Sequence, residues 1–382
     1  MTLKTQQIAL PNIRVISILC LVGFFLVNCK DKSSNYKDVS QKGVVGLLQS
    51  NYSEKAPNIG LEKLSDYGFF KQPLHQLIPV NKNVVPYELN SPLFTDYASK
   101  KRYIVLPEKT KILYKELGVL DFPKGTVLVK NFYYKGSILE KEDKDIIIET
   151  RLLIKDTITG KWQALPYLWN ESQTEAYLYI FGKDLEVGIK RNEALNSKLN
   201  FTYSVPNTNM CKNCHVKGKS IVPLGPSASQ LNRINSTLKN NQLEYLLVNN
   251  QLKGVESIKD IPKLPDYRDE NSGTINERAR AYLDVNCAHC HQKEGSAKTS
   301  GLHLSYQIKD EYTLGVNKPP VAAGKGSGNL AYDIVKGAPE KSILLYRMKH
   351  LEPDVVMPEI GKNTLHKEGI SLIEKWISSM EY

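Results

Sequence analysis

Residues 274–291 read TINERARAYLDVNCAHCH and combine a helix start with two cysteines and a histidine. Thr274 and Glu277 have the spacing of a capping box, so a helix is predicted to begin here and to run toward Cys287. The helix leads into the motif CAHCH at residues 287–291. A second motif of the same form, CKNCH, occupies residues 211–215.

The spacing within both motifs has a chemical reason. Two thiols three positions apart can reach the two vinyl groups of one porphyrin, and the adjacent histidine can bind its iron. The sequence therefore predicts two haem c groups. Their predicted thioether attachments are Cys211, Cys214, Cys287 and Cys290, and their predicted proximal iron ligands are His215 and His291.

Two other functions of paired cysteines fit this sequence less well. Four cysteines could form a tetrahedral zinc site, but the two pairs lie far apart along the chain and each is followed directly by histidine. A redox-active dithiol is expected in a βαβ context, which the surrounding sequence lacks. Haem attachment is the interpretation that uses all four cysteines and both histidines.

Composition restricts the class of protein. The chain has 382 residues, of which 41% are apolar and 24% charged, and these values exclude global disorder. Its net charge of +11 favours acidic partners or an anionic surface. Nucleic acid is not a predicted partner, because the lysines are spread along the chain and no recognition motif occurs.

The N-terminus has the charge and hydropathy order of a secretory signal. The apolar run VISILCLVGFFLV at residues 15–27 is shorter than the roughly 20 residues of a membrane-spanning helix. It ends in LVNC at residues 26–29, which resembles a bacterial lipobox. The sequence thus predicts a lipoprotein signal peptide over residues 1–28 and lipid attachment at Cys29. A plainly cleaved signal and an uncleaved anchor are the alternatives. All three predict export to the cell envelope, on the periplasmic or outer-membrane side.

Residues 61–205 consist of strand-like runs separated by turn signals. Examples are KRYIVL at 101–106, TVLVKNFYY at 126–134 and IIIETRLLI at 146–154, which are rich in β-branched and aromatic residues. Several short strands at this spacing predict an antiparallel β-sandwich-like domain. The aromatic residues predicted to fill its core are Trp162, Tyr167, Trp169, Tyr177 and Tyr179.

Helical patterns follow residue 205. Residues 206–272 carry the first motif, and residues 273–382 are predicted to form an all-α cytochrome c-type domain around the second. Residues 29–60, ahead of the β-rich domain, are expected to form a tether and a short helix. The predicted fold class is therefore α+β, with several domains. Predicted helices, besides the one that begins at Thr274, lie within residues 227–252, 339–350 and 364–380.

A methionine near the C-terminus is the predicted distal ligand of the second haem. Met357 lies on an extended segment before the last helix and is followed by Pro358, a position that favours ligation over apolar packing. A Met/His pair raises the reduction potential of a haem and leaves no open iron position. Met348 has a helical apolar pattern around it and is predicted to be core. Tyr282 and Trp376 are predicted to pack where the first and last helices of this region cross.

The first motif has no methionine between His215 and His291, so its distal ligand must come from elsewhere or be water. His366, at the start of the terminal helix, is slightly favoured among the candidates. The other candidates are His75, His303, Met348 and His350.

Several further stretches resemble a family of bacterial exported two-haem c-type cytochromes, which are conserved lipoproteins often encoded beside a parallel β-helix protein. The resemblance covers nearly all of residues 58–382 and implies a β-rich domain ahead of haem-binding helices. The family's methionine–proline–glutamate segment matches residues 357–359, which implies that Met357 is a ligand. The matching stretches are VPYELNSPLF at 85–94, FPKGT at 122–126, ETRLL at 149–153, LWN at 168–170, PLGP at 223–226 and ARAYLDVN at 279–286.

Together these features predict an electron carrier, anchored to a membrane by lipid, that exchanges electrons with a redox partner protein of acidic character. Two alternatives stay open. A haem enzyme of the peroxidase or oxidase type would use an open first haem as its catalytic site. In the other alternative, the β-rich domain binds a partner or a polysaccharide, to which the haems deliver electrons.

Overall fold

The computed structural model describes residues 60–139, 144–192, 197–321 and 324–381. The predicted signal peptide over residues 1–28 and the lipid-attachment residue Cys29 lie outside the described residues. So does the predicted tether and helix over 29–60, apart from Gly60.

Twelve strands are described, and six of them form one antiparallel sheet. The strands are β1 (Val84–Tyr87), β2 (Ser99–Val105), β3 (Ile112–Leu113), β4 (Val127–Tyr134), β5 (Ile146–Lys155), β6 (Trp162–Trp169), β7 (Ala176–Leu178), β8 (Lys183–Asn192), β9 (Ser197–Val205), β10 (Val216–Lys217), β11 (Ser220–Ile221) and β12 (Leu252–Lys253). The large sheet has the order β1-β2-β4-β5-β6-β7. Strands β8 and β9 form a separate antiparallel pair, as do β10 and β11, whereas β3 and β12 pair in parallel. The predicted large antiparallel sheet is thus confirmed.

One face of the sheet is covered by the segment that precedes it. Successive side chains of a strand point to opposite faces, and Val127 and Val129 of β4 point to this face with Leu152 of β5. Leu64 and Leu74, both 1% exposed, pack against them from short 3₁₀ turns. Two aromatic residues predicted for the core, Tyr167 and Trp169, are buried in this cluster, but Tyr177 is 40% exposed and was predicted wrongly.

The opposite face carries two apolar clusters, one at each end. Ile104 and Leu128 lie in the cluster formed with the helices after residue 227, and Phe132 and Tyr134 lie in the cluster formed with the β8–β9 pair. A second sheet of comparable size does not cover this face among the described residues. The structure therefore differs from a two-sheet sandwich, because helices and one hairpin supply the apolar surface that a second sheet would provide.

The described helices are α1 (Gly136–Leu139), α2 (Cys211–His215), α3 (Ala228–Leu231), α4 (Gln242–Val248), α5 (Ile275–Asn286), α6 (Ile343–Met348) and α7 (Lys367–Ser378). The capping box predicted at the start of α5 is confirmed, since the Thr274 hydroxyl accepts from the Glu277 N–H and the Glu277 carboxylate accepts from the Thr274 N–H. The predicted helices within 227–252, 339–350 and 364–380 are also found, although each is shorter than the sequence pattern.

Helices α5 and α7 cross at a glycine. A Cβ at Gly369 would lie 2.5 Å from the Tyr282 ring, so only glycine permits this approach. Trp376 of α7 donates to the Asn276 side chain of α5 at 2.9 Å. The predicted packing of Tyr282 and Trp376 at this crossing is confirmed.

Polar contacts join the C-terminal helices to the loop between β1 and β2. The Asp96 carboxylate accepts from the backbone N–H groups of Asn363 and Thr364, both at 2.8 Å. The Phe94 N–H donates to the Asn286 side chain of α5 at 2.9 Å. These contacts cross the boundary predicted at residue 273, so the sheet and the C-terminal helices share an interface.

Candidate functional site

The first Cys-x-x-Cys-His motif forms the one-turn helix α2 and is followed by the small β10–β11 hairpin. This hairpin returns the chain to the histidine, where the Val222 N–H donates to the His215 carbonyl at 2.7 Å. The His215 Nδ1 lies 2.8 Å from the Val222 carbonyl oxygen. Because a carbonyl only accepts, Nδ1 carries the proton and Nε2 keeps its lone pair.

The second motif begins where α5 ends, as the sequence predicted. The His291 Nδ1 lies 3.0 Å from the Ser300 hydroxyl oxygen, which itself donates to the Ala297 carbonyl at 2.8 Å. The single hydroxyl proton is therefore used, and His291 must donate from Nδ1. As in His215, Nε2 is left with a free lone pair.

Burial reinforces this state in both histidines. It lowers the pKa of His215 to about 4 and that of His291 to about 4. Both imidazoles are therefore neutral near pH 7. A neutral imidazole that donates from one nitrogen to a protein oxygen and presents the other is the usual arrangement of a metal-ligating histidine.

The structure brings the two motifs into direct contact, although they are distant in sequence. Asn213, inside the first motif, offers its carbonyl to the Cys290 thiol at 3.6 Å and to the Ser296 hydroxyl at 3.1 Å. The Gly218 N–H donates to the Glu294 carbonyl at 3.0 Å. Groups held by these two motifs would consequently be neighbours.

All four motif cysteines are free thiols and half-buried. Burial raises the pKa of Cys211, and it raises the pKa of Cys287 to about 12. Cys214 and Cys290 contact each other, and this hydrogen bond raises the pKa of Cys214 and lowers that of Cys290. Within the described ranges, no group of three or more His, Cys, Asp or Glu side chains is placed to hold a metal ion. The tetrahedral site that the zinc alternative requires is not formed there.

Met357 lies in the segment between α6 and α7, where two basic residues bond its backbone. Its N–H donates to the Arg347 carbonyl at 3.2 Å, and its carbonyl accepts from Lys362 Nζ at 2.9 Å. The charge of Arg347 contributes to the low pKa of His291, and the charge of Lys362 acts to lower the pKa of Cys287. Met357 is half-buried. Met348 is 5% exposed within the core that α5, α6 and α7 share, as predicted.

His366 lies in an aromatic cluster. Its ring stacks on Phe94 with centroids 4.1 Å apart, and its Nδ1 lies 3.2 Å from the Tyr282 hydroxyl. Its Nε2 lies 3.8 Å from the Glu368 carboxylate. Tyr282 precedes the second motif on α5, and no hydrogen bond, ion pair or ring contact joins His366 to the first motif among the described residues. Its predicted ligation of the first haem stays a prediction, and that ligation would require the imidazole to leave this cluster.

Sequence reasoning missed the residues that orient the motif histidines, Val222 and Ser300. It also missed basic residues of the sheet. Lys130 and Arg151 project from the face that carries the first motif, and their charges contribute to the low pKa of His215. The signal was present in the sequence, where Lys130 and Arg151 interrupt two otherwise mostly apolar runs, VLVKNFYY at 127–134 and IIIETRLLI at 146–154.

Comparison with models of known protein families, with curated proteins and with solved structures finds no match. Within the part of the chain that the structure describes, no helix has the length and apolar character needed to cross a lipid bilayer.

Proposed function

We propose that the chain is an exported, lipid-anchored dihaem c-type cytochrome that carries electrons to or from a redox partner protein. In this proposal residues 206–272 form the first haem-binding segment and residues 273–382 form an all-α cytochrome c-type domain. The residues that hold the two haems are Cys211, Cys214 and His215 for the first, and Cys287, Cys290, His291 and Met357 for the second.

One observation carries the proposal: both motif histidines are half-buried, and each ring is fixed by a hydrogen bond from Nδ1. The bonds to the Val222 carbonyl and the Ser300 hydroxyl leave each Nε2 free for iron. In each motif, two thiols that form no disulfide accompany the histidine. These are the groups that covalent haem attachment requires.

The protein's own residues then determine how such a site behaves. When bound, haem c supplies reversible one-electron chemistry at iron, and methionine ligation raises its reduction potential. Val222 and Ser300 hold the histidine rings in one orientation and raise their basicity as ligands. The contacts of Asn213 with Cys290 and Ser296 keep the two motifs adjacent, which favours electron exchange between their cofactors.

The net charge of +11 supports an acidic redox partner, because complementary charge speeds encounter.

Covalent attachment is tested by mass. We expect the purified protein to carry two haem masses that survive denaturation, because thioether bonds are covalent. Cys214→Ala should weaken or remove one of them, whereas Asn213→Ala, which changes a variable position of the same motif, should keep both. A protein that contains zinc and no haem would contradict the proposal.

The same purified protein can be used to distinguish an electron carrier from a haem enzyme. A visible spectrum of the reduced protein with carbon monoxide reports whether either iron has an open position. If carbon monoxide leaves the spectrum unchanged, both irons have two firm ligands and the carrier function is supported. A complex formed at one iron would favour the haem-enzyme alternative at the first motif.

Export is tested at Cys29. We expect the wild-type protein to pellet with membranes and to be released by detergent, because a lipid-modified N-terminus partitions into the bilayer. Cys29→Ala should leave the chain uncleaved or release it in soluble form, as judged by fractionation and by the mass of the N-terminal peptide. Recovery of wild-type protein from the cytoplasm would contradict both export and haem attachment.

A further inference from the structure

Three basic residues stand side by side across the middle of the large sheet. In the register of β2, β4 and β5, Arg102 lies directly opposite Lys130, and Lys130 lies directly opposite Arg151. Directly paired residues of an antiparallel sheet point to the same face. Lys100, two residues before Arg102, points to that face as well. We call these four residues the cation row.

The cation row crosses the sheet between two apolar clusters. Ile104 and Leu128 lie on one side of it, and Phe132 and Tyr134 lie on the other. Like charges placed directly opposite each other destabilise a sheet, and burial adds a desolvation cost. Such a row therefore needs anionic groups close by.

The described residues supply few of these groups. Glu149 is 0% exposed and pairs with Arg151. Lys100, Arg102 and Lys130 have no ion pair within 4.0 Å among the described residues, and the Arg102 Nη2 is buried without a hydrogen-bond partner. Burial lowers the pKa of each of these three residues, and repulsion within the row lowers the pKa of Lys100 and Lys130 further.

Two members of the row, Arg151 and Lys130, lie toward the first motif. The Tyr203 hydroxyl of β9 donates to Glu149 at 2.6 Å. Two residues after the end of β9, the Asn207 carbonyl accepts from the Cys211 thiol at 3.7 Å. Arg151 donates to the same Glu149 carboxylate, and Lys130 lies directly opposite Arg151 in the sheet. The basic side chains and the attachment cysteines therefore share one region of this face.

We propose that the cation row binds the carboxylate side chains of the tetrapyrrole attached at Cys211 and Cys214, an inference that rests on the proposed function. A tetrapyrrole of the haem type carries two such carboxylates at one edge. Arg102 is 8% exposed, so an acidic protein surface could not reach it. An anionic group that the fold encloses, such as the carboxylate of an attached tetrapyrrole, can reach Arg102. Charge-assisted bonds to carboxylates would offset the repulsion along the row.

Lys130, at the centre of the row, gives the sharpest test. In the full haem-loaded protein, Lys130→Gln should lower one of the two midpoint potentials, because a nearby cation stabilises the reduced form, which carries one positive charge less. The other potential should not move. Lys130→Arg, which keeps the charge, should restore the wild-type value. The matched control is Lys101→Gln, which removes a charge from the opposite face, where Lys101 pairs with Asp145 at 3.7 Å.

The outcomes distinguish this inference from the proposed function. If Lys130→Gln still carries two haems by mass and both of its midpoint potentials are unchanged, the inference is overturned but the proposed function is not. Wild-type protein without haem would overturn the proposed function instead. If Lys130→Gln does not accumulate, Arg102→Gln is expected to shift the same potential, and an unchanged value there would overturn the inference. Inorganic phosphate added to the wild type tests whether the cation row is an open anion site. A saturable rise of the thermal unfolding midpoint would also overturn the inference, because the tetrapyrrole carboxylates should already occupy the row.

Discussion

Met357→Ala is expected to abolish the weak far-red absorption band that a methionine-ligated ferric haem shows, and to lower one of two midpoint potentials. A thioether ligand stabilises the reduced iron, and axial-ligand identity strongly influences haem potential. The second potential should stay at its wild-type value, because the first motif takes its ligands elsewhere. Visible spectroscopy of the oxidised protein and a potentiometric titration measure both effects.

Met348→Ala is the control for that variant. Met348 is 5% exposed in the C-terminal core, so its truncation should cost about 2–5 kcal/mol of unfolding free energy and leave the band intact. The opposite pattern, with the band lost at Met348 and kept at Met357, would mean that the ligand is Met348. Lys362 bonds the carbonyls of both residues at 2.9 Å, which makes them a well-matched pair.

The parts of the fold that could be predicted are those with local signals. Helix α5 begins at Thr274 because its capping box needs only residues three positions apart, and the structure contains both bonds. Strands β4 and β5 follow the predicted runs within a residue or so, since their alternation of β-branched and aromatic residues is also local. The cysteine spacing within each motif belongs to the same class of signal.

What could not be predicted depends on contacts between distant segments. The adjacency of the two motifs rests on bonds such as Gly218 to Glu294, which no periodicity reveals. The sandwich prediction failed in its second layer because strand patterns show that a face is buried but not what covers it. His366 is a similar case: its position before α7 was visible in the sequence, but its stacking on Phe94 was not.

The sheet explains the spacing of Glu149 and Arg151 in the sequence ETRLL at residues 149–153. Glu149 and Arg151 are two positions apart in β5 and therefore point to one face, where the guanidinium donates to the carboxylate at 2.8 and 2.5 Å. Burial disfavours the charge of Arg151, but Glu149 outweighs this effect, and the pKa of Arg151 lies above its usual value. Glu149 also accepts from the Tyr203 hydroxyl, so it joins the sheet to β9.

Glu149→Gln should therefore destabilise the protein by about 2–3 kcal/mol, because it weakens charge-assisted hydrogen bonds between a fully buried carboxylate and Arg151, whose side chain is 30% exposed. Arg151 would then face Lys130 with no carboxylate beside it, and the Tyr203 bond would weaken. The free energy of unfolding from denaturant titration measures the loss.

The exposed pair on the same sheet is the control for Glu149→Gln. Asp145 and Lys101 are 3.7 Å apart with side chains 41% and 40% exposed, so Asp145→Asn should change stability by less than about 1 kcal/mol. The double variant Glu149→Gln with Arg151→Met should recover part of the loss, because it removes both the uncompensated charge and its repulsion of Lys130. The single variant Arg151→Met completes the comparison. If the double variant loses as much unfolding free energy as the two single variants together, Glu149 and Arg151 act independently. The cost of Glu149→Gln would then come from the Tyr203 bond alone.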